Sequence, residues 1–333
     1  MTKTQQVRLA RRPSGLTDDQ TWSVVTEELP AISVGEILVK VDLVSVDPAM
    51  RGWIDDAPSY LPPVGIDEVM RSLDIATVVE SNHRGFSVGD TVGGLFGLTE
   101  YAISDGAGVT KVDLGLAPPA TWLGALGMPG MTAYFGVLEV GKLIAGDTVV
   151  ISAAAGAVGS VAGQIAKAMG ARVIGIAGGS EKCRIMIEEL GFDAAVDYRS
   201  EDVQRRIRAL APEGIDLYFD NVGGDILDAA LANLRWGARV VICGAIASYN
   251  EAEPPPGPAR YMSLLINRAT MAGFVVIDYM ERYGEAVAKI AEWLADGKIK
   301  AREHVVEGGV TQFGATLNML FTGANNGKLV LAM

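Results

Sequence analysis

The sequence predicts an α/β protein of two domains, one built on a doubly wound parallel sheet and the other mostly β. Three observations carry this expectation. Between residues 147 and 276, short β-branched runs alternate with helical spacing. The run TVVIS (148–152) leads directly into the glycine loop AAGAVG (154–159) and a periodic helix. The first 120 residues instead show strand-like runs broken by Pro- and Gly-rich turns. The 333 residues suit two domains at roughly 100–200 residues each.

The apolar runs of the central stretch are TVVISA (148–153), RVIGIA (172–177), AAVDY (194–198), IDLYFDN (215–221), RVVICGA (239–245) and AGFVV (272–276). Between the first of them lie helical registers. Val158, Val161, Ala162, Ile165, Ala166 and Met169 follow one; Cys183, Met186, Ile187 and Leu190 follow a second; Val203, Ile207 and Leu210 follow a sparser third. Apolar strands alternating with helices mean βαβ crossovers and a parallel sheet covered on both faces. In the N-terminal part, EILVKVDLVSV (36–46) and DIATVVES (74–81) read as strands, and FSVGDTV (86–92) reads as strand–turn–strand about Gly89-Asp90. This half is expected to be barrel-like. Residues 283–298 read as an amphipathic helix ending at Gly297. The tail has a helical face of Phe313, Leu317, Leu320 and Phe321, then the strand KLVLAM. A single strand is not stable alone, so the tail is expected to return to the N-terminal β domain. The segment NEAEPPPGP (250–258) is expected to be an irregular, mobile loop.

Composition narrows the function classes. The formal charge of −12 disfavours nucleic acid or an anionic membrane as main partner. Forty glycines among 333 residues, about 12% against an average near 7%, indicate tight turns and close backbone approach. Two cysteines and two histidines supply neither a disulfide framework nor zinc-ligand spacing. Mean hydropathy is +0.26, and two uncharged windows, 117–138 and 148–166, are long enough to test as membrane spans. Pro118, Pro119 and Pro129 break the first, and the second reads as strand, turn and helix. The basic N-terminus has no apolar core of a secretory signal. A soluble, cytoplasmic protein is expected.

The glycine loop is the A-x-G-x-x-G form of a dinucleotide fingerprint. Gly156 allows backbone approach to a pyrophosphate, Gly159 allows the helix to pack on its strand, and the helix N-terminus supplies N–H groups and a positive dipole. A site that prefers NAD places an acid at the end of the second strand. Here that strand ends Ile176-Ala177-Gly178-Gly179-Ser180-Glu181-Lys182. Ala177 stands at the acid's position, and Ser180 and Lys182 offer a hydroxyl and a cation to a 2′-phosphate. Glu181 is tolerable if it points to solvent. The expected cofactor is NADP(H).

Several stretches together are specific. AAAGAVGS (153–160), GGSEKC (178–183), FDNVGG (219–224), CGAIASYN (243–250), GFVVIDY (273–279), NNGK (325–328), VDPAMRGW (46–53), SYLPP (59–63), DEVMR (67–71) and GMPGMTAYFG (127–136) cover nearly the whole chain. In these motifs the chain resembles the zinc-independent medium-chain reductases, in the branch of leukotriene B4 dehydrogenase/prostaglandin reductase, plant alkenal double-bond reductases and bacterial curcumin reductase. The resemblance implies a GroES-like catalytic domain from 1–124 and 292–333, a Rossmann domain over 125–291, and a homodimer. It implies reduction of the C=C bond of α,β-unsaturated ketones and aldehydes by NADPH. Matched residue by residue, it places the phosphates on Gly156, Ala157, Val158 and Gly159, and the 2′-phosphate on Lys182 and Tyr198; Gly179 and Ser180 beside them are also expected to bind the cofactor. It gives Asn221 and Asn325 to the cofactor. Cys243, Gly244, Ala245, Ile246, Ser248, Tyr249, Phe274, Val275 and Val276 match the strand ends around the ribose and nicotinamide. Two departures concern the substrate. The family's V-D-P-Y-M-R reads with Ala49 in place of tyrosine, and Pro254-Pro255-Pro256 stands where a tyrosine precedes the proline run.

Enone reduction needs no metal. Hydride reaches the β-carbon, charge moves to the carbonyl oxygen, and one or two hydrogen-bond donors suffice there. A water or tyrosine can protonate the α-carbon. Tyr249 and Tyr60 are the candidate donors. Tyr249 reads equally well as a ribose-positioning or packing residue, and packing is the weightier reading of Tyr60. Ala49, Met50, Arg51, Tyr60 and Met128 are candidate lining of the substrate pocket. For Arg51, pairing with a nearby carboxylate is the commoner use, and for Met50, Trp53, Met128 and Met131 core packing is. His83 and His304 read as structural or exposed. The competing functions are a zeta-crystallin type quinone reductase and an NADPH-binding protein without turnover.

Overall fold

The computed structural model describes residues 2–253 and 255–333. The chain forms two compact units, one comprising residues up to Leu123 together with Glu303–Met333, the other Gly124–Arg302.

The first unit begins with a hairpin. Strand β1 (Thr2–Leu9) pairs antiparallel with β2 (Trp22–Leu29). Strand β3 (Ile37–Ser45) buries Ile37, Leu38, Val39, Val41 and Val44, as its β-branched apolar composition demands. A short helix α1 (Ala49–Trp53) and strands β4 (Asp74–Ser81), β5 (Thr91–Gly94), β6 (Tyr101–Ser104) and β7 (Thr110–Lys111) follow. FSVGDTV is only half the expected hairpin. Val88 and Gly89 form a turn and β5 starts at Thr91, but Phe86 and Ser87 are not in a strand. Ser87 instead donates its N–H to Asp90 Oδ2 at 2.8 Å, closing a tight loop. The unit's core gathers Val7, Leu9, Met50, Trp53, Val92 and Leu98 around β3 and β4.

The second unit opens with α2 (Met128–Phe135), which runs on into a π-helical turn over Gly136–Val140, so the window 117–138 is a short 3₁₀ turn and a short helix with an irregular end. Then come β8 (Thr148–Ile151), α3 (Ala157–Ala168), β9 (Arg172–Ala177), α4 (Ser180–Glu188), β10 (Ala194–Asp197), α5 (Val203–Leu210), β11 (Ile215–Asp220), α6 (Gly224–Leu231), β12 (Leu234–Ile242), α7 (Met262–Asn267), β13 (Thr270–Gly273) and α8 (Tyr283–Ala295). The sheet order is β10-β9-β8-β11-β12-β13, with all pairs parallel. This is the doubly wound order, whose direction reverses between β8 and β11. Residues 274–276 do not belong to β13, because its ladder ends where Gly273 meets Ile242, the last residue of β12. Pro254 lies outside the described residues. Helix α8 stops as expected: Gly297 has φ +69°, its N–H reaches Leu294 O at 3.1 Å, and Lys298 N reaches Trp293 O at 2.8 Å.

The chain leaves this unit after Arg302, later than residue 292. Lys300 is held by Gln164 through both backbone groups, and Arg302 pairs with Glu189 at 2.5 Å. The tail then adds β14 (Glu303–Val306), α9 (Phe313–Thr322) and β15 (Lys328–Ala332) to the first unit. Strand β15 lies parallel to β14 and antiparallel to β3, so the C-terminal strand does join the N-terminal sheet. Phe313 and Leu317 are the fully buried apolar residues of α9, with Leu320 and Phe321 packed beside them. Among the described residues, no helix is long and apolar enough to cross a membrane.

Candidate cofactor site

The reversal between β8 and β11 is where ligands of open α/β sheets gather, and the glycine loop lies there. After β8 the backbone turns through Ala153 at φ +46°, and Gly156 is the extended N-cap of α3. Ala157 and Val158 form the first turn, and no side chain caps it. Its N–H groups therefore remain available to an anion. Gly159 is a packing requirement: a Cβ there would stand 2.5 Å from Ala153 O and 2.8 Å from Ala154 Cα, both backbone atoms.

A second cluster forms where β9 and β10 end. Gly179 has φ +95° and precedes α4, whose first turn also has no side-chain cap. Ser180 and Glu181 are exposed and Lys182 is half-buried. Glu181 thus does point to solvent. Tyr198 and Arg199 lie over Gly178, since a Cβ there would come within 2.8 Å of both Tyr198 Oη and Arg199 Nε. Arg199 is close enough to Lys182 that its charge, after burial, lowers the Lys182 pKa. Arg199 was missed by the reading of the strand end, because β10 brings it to β9 from the next βαβ unit; its adjacency to Tyr198 was the available signal. Asp197 is the carboxylate of this cluster. It accepts from Gly179 N at 2.7 Å, Arg199 N at 3.0 Å and Ser200 Oγ at 3.0 Å. The Gly179 N–H above all holds its pKa below the usual range. Its charge is thereby spent on shaping the turn.

The third cluster follows β11 and β12. Asn221 donates Nδ2 to Ser152 O at 2.7 Å, which orients its carboxamide across from β8. Cys243 and Gly244 donate their N–H groups to Asp220 O. Burial, then the charge of Asp220, pushes the Cys243 thiol up to about 12, so it stays protonated and unreactive near neutrality. Ile246–Ser248 form a 3₁₀ turn in which Ser248 Oγ donates to Ala245 O at 2.9 Å. Tyr249 folds back over this turn: its hydroxyl accepts from Ala245 N–H at 3.2 Å and lies 3.0 Å from where a Gly244 Cβ would be. That contact supports the positioning reading of Tyr249. Phe274 and Val275 follow β13 and lead into the 3₁₀ turn that starts at Val276.

The first unit holds the other expected residues. Tyr60 is exposed and Ala49 half-buried. Met50 is wholly enclosed in the core and serves packing, as is the commoner use of such a residue. Arg51 is also buried: its guanidinium donates to Gly15 O at 3.0 Å and Pro13 O at 3.4 Å and pairs with Asp55 at 2.5 Å. It holds the N-terminal loop and has little left for a substrate. In the second unit Met128 is half-buried at the start of α2, while Met131 is buried. Asn325 is buried and donates to Gly327 O at 3.0 Å. Beside it, the fully buried Lys328 donates to Val46 O at 3.0 Å and Asp47 Oδ1 at 2.7 Å, joining the NNGK and VDPAMRGW motifs. His83 accepts from Gly85 N, and His304 from Asn326 N, so both are structural.

Two family models match: "N-terminal domain of oxidoreductase" over residues 5–112 and "Zinc-binding dehydrogenase" over 157–292. The residues do not fit the metal in the second name. Among the described residues, no group of three His, Cys, Asp or Glu side chains could hold a metal ion. Relatives match over the full length. The NADPH-dependent curcumin reductase of Escherichia coli is 40% identical, covering 97% of this chain and 95% of its own. Prostaglandin reductase 1 of Mus musculus is 38% identical, with 99% of each chain covered. The crystal structure of CurA from Vibrio vulnificus in complex with NADPH superposes with a TM-score of 0.94 at 43% identity, covering 99% of both chains. With the sheet order, the glycine loop and both chain ends accounted for, the chain belongs to the medium-chain dehydrogenase/reductase superfamily, in the branch of the curcumin reductases and prostaglandin reductases.

Proposed function

We propose that this chain, an NADP(H)-dependent oxidoreductase, reduces the C=C bond of α,β-unsaturated ketones and aldehydes. The observation that carries the reading is full-length likeness to enzymes named for curcumin and prostaglandin reduction, in a chain without a metal-ligating group among its described residues. NADPH, when bound, supplies the hydride for the β-carbon. The protein's own part is positioning and charge. The uncapped first turns of α3 and α4 meet phosphate oxygens, and Lys182 with Tyr198 and Arg199 takes the 2′-phosphate. Asn221 and the 243–249 segment fix the ribose and nicotinamide. Tyr249 or Tyr60 donates a hydrogen bond to the carbonyl oxygen as it gains charge. Ala49 widens the wall on which the family carries a tyrosine and removes one hydroxyl.

The test is NADPH oxidation, followed by absorbance, with a panel of enals and enones, a quinone and an alcohol. Turnover of enals and enones is expected. Binding of NADPH with turnover of the quinone alone would move the chain to the quinone reductases, and binding without any turnover would leave a silent NADPH-binding protein. A homodimer is part of the proposal. Strand β13 is an edge of its sheet, and Tyr261, Met262, Leu265 and Ile266 in and before α7 are exposed apolar residues; both suit contact with a second copy. Sedimentation velocity would decide it, with Leu265→Glu expected to yield monomers.

A further inference from the structure

Asp220 is a carboxylate with no exposed surface, and no lysine or arginine pairs with it among the described residues. Four donors replace a cation. Its Oδ1 accepts from Tyr218 Oη at 2.8 Å, Ser152 Oγ at 2.9 Å, Val222 N at 3.0 Å and Gly223 N at 3.1 Å, and Oδ2 accepts again from Gly223 N at 3.1 Å. Backbone N–H groups and hydroxyls aimed at one buried side chain take the place of the hydrogen bonds it would make with water. The arrangement spans the point where strand order reverses: Ser152 follows β8 and Asp220 ends β11. Ser152 and Tyr218 are themselves fully buried.

Ser152 links the network to Asn221. Ser152 Oγ donates its hydrogen bond to Asp220 and accepts from Asn221 N at 2.8 Å, and Asn221 Nδ2 donates back to Ser152 O at 2.7 Å. The next two residues are clamped by the carboxylate, and Gly223 and Gly224 then turn through φ +75° and +54° into α6. The turn is held from two sides: Ile246 N and Ala247 N donate to the carbonyls of Asn221 and Val222 at 3.2 and 3.1 Å, while the carboxylate takes the N–H groups of Val222 and Gly223. We propose that Asp220, acting through Ser152, is the positioning residue that presets Asn221 and the Asn221–Gly223 turn for NADPH. This rests on the reading that Asn221 contacts the cofactor.

The experiment compares Ser152→Ala, Asp220→Asn, Tyr218→Phe and Asn221→Ala, with NADPH Kd measured by calorimetry and thermal midpoints and hydrogen exchange of residues 218–224 measured in parallel. Ser152→Ala removes one hydroxyl from a small side chain and keeps the positioning test readable if Asp220→Asn fails to fold. Expected are a rise of about tenfold in Kd for Ser152→Ala and at least as much for Asp220→Asn, with faster exchange at Val222 and Gly223. Tyr218→Phe, which removes a donor without touching Asn221, should change Kd by less than threefold. Ser152→Thr, which restores the hydroxyl, should recover most of the affinity. If Ser152→Ala lowers the thermal midpoint while Kd and exchange stay unchanged, Asp220 is structural only and the proposal fails. If Asn221→Ala itself leaves Kd unchanged, the reading of Asn221 as a cofactor contact fails first, and the positioning role falls with it.

Discussion

Removing the Lys182 ammonium should cost NADPH binding and spare NADH binding. The two cofactors differ only in the 2′-phosphate, so the comparison isolates that group. Lys182 is half-buried on the first turn of α4, and Arg199 lies across Gly178 beside Tyr198. A hydrogen bond between charged groups is worth roughly 1.5–3 kcal/mol, so Lys182→Ala should raise the NADPH Kd by about 10- to 150-fold. Arg199→Ala should do less, because two cations facing one dianion partly compensate for each other's loss, and the double variant should fall short of the product of the two. Burial first, and the Arg199 charge second, hold the Lys182 pKa below its ordinary value in the unliganded protein. A bound 2′-phosphate reverses that by favouring the ammonium. NADPH binding therefore takes up a proton once pH exceeds the depressed pKa, and NADPH affinity declines as pH rises through that range. NADH affinity should show no such slope. Titration calorimetry in two buffers of different ionisation enthalpy measures affinity and proton uptake together. An equal loss for NADPH and NADH in Lys182→Ala would refute the assignment of the 2′-phosphate to this cluster.

Three further outcomes follow from the geometry. Tyr249→Phe should lower kcat by about 100-fold with a smaller change in NADPH Kd; matching losses in both would make Tyr249 only the brace of the Ala245 turn that its 3.2 Å contact describes. Gly159→Ala must push a methyl group against the Ala153 and Ala154 backbone, so urea denaturation should show about 1–3 kcal/mol of lost stability; an unchanged midpoint would mean the α3–β8 approach is slack. Asp74 is enclosed behind β5, accepting from Ser72 Oγ, Phe96 N and Gly97 N, and burial raises its pKa to about 8. An acid whose folded pKa is raised keeps its proton in the native state while the unfolded chain releases it near 4. Stability should therefore fall as pH rises from about 4 to 8, and Asp74→Asn should flatten that slope; parallel slopes for both proteins in urea midpoints would contradict it.

The sequence alone determined what depends on periodicity and on glycine. Strands β4 and β9 span the residues read from their apolar runs, and α3 and α4 follow from i, i+3, i+4 spacing. These are local patterns, and a parallel sheet covered on both faces writes them plainly. The cofactor's chemistry was legible for the same reason, since a fingerprint loop and the absence of an acid at Ala177 lie within one βαβ unit. The boundaries that slipped are tertiary in origin. AGFVV is not a strand throughout because the neighbouring β12 ends at Ile242, which no property of residues 272–276 announces. Arg51 pairs with the nearby carboxylate of Asp55, the commoner use of such a residue, and only the folded loop brings Gly15 and Pro13 to its guanidinium. Arg199 joins Lys182, Ser152 joins Asp220 and Lys328 joins Asp47 across 17, 68 and 281 residues respectively. Pairings at such separations are decided by which strands lie side by side, and strand order is a property of the whole sheet.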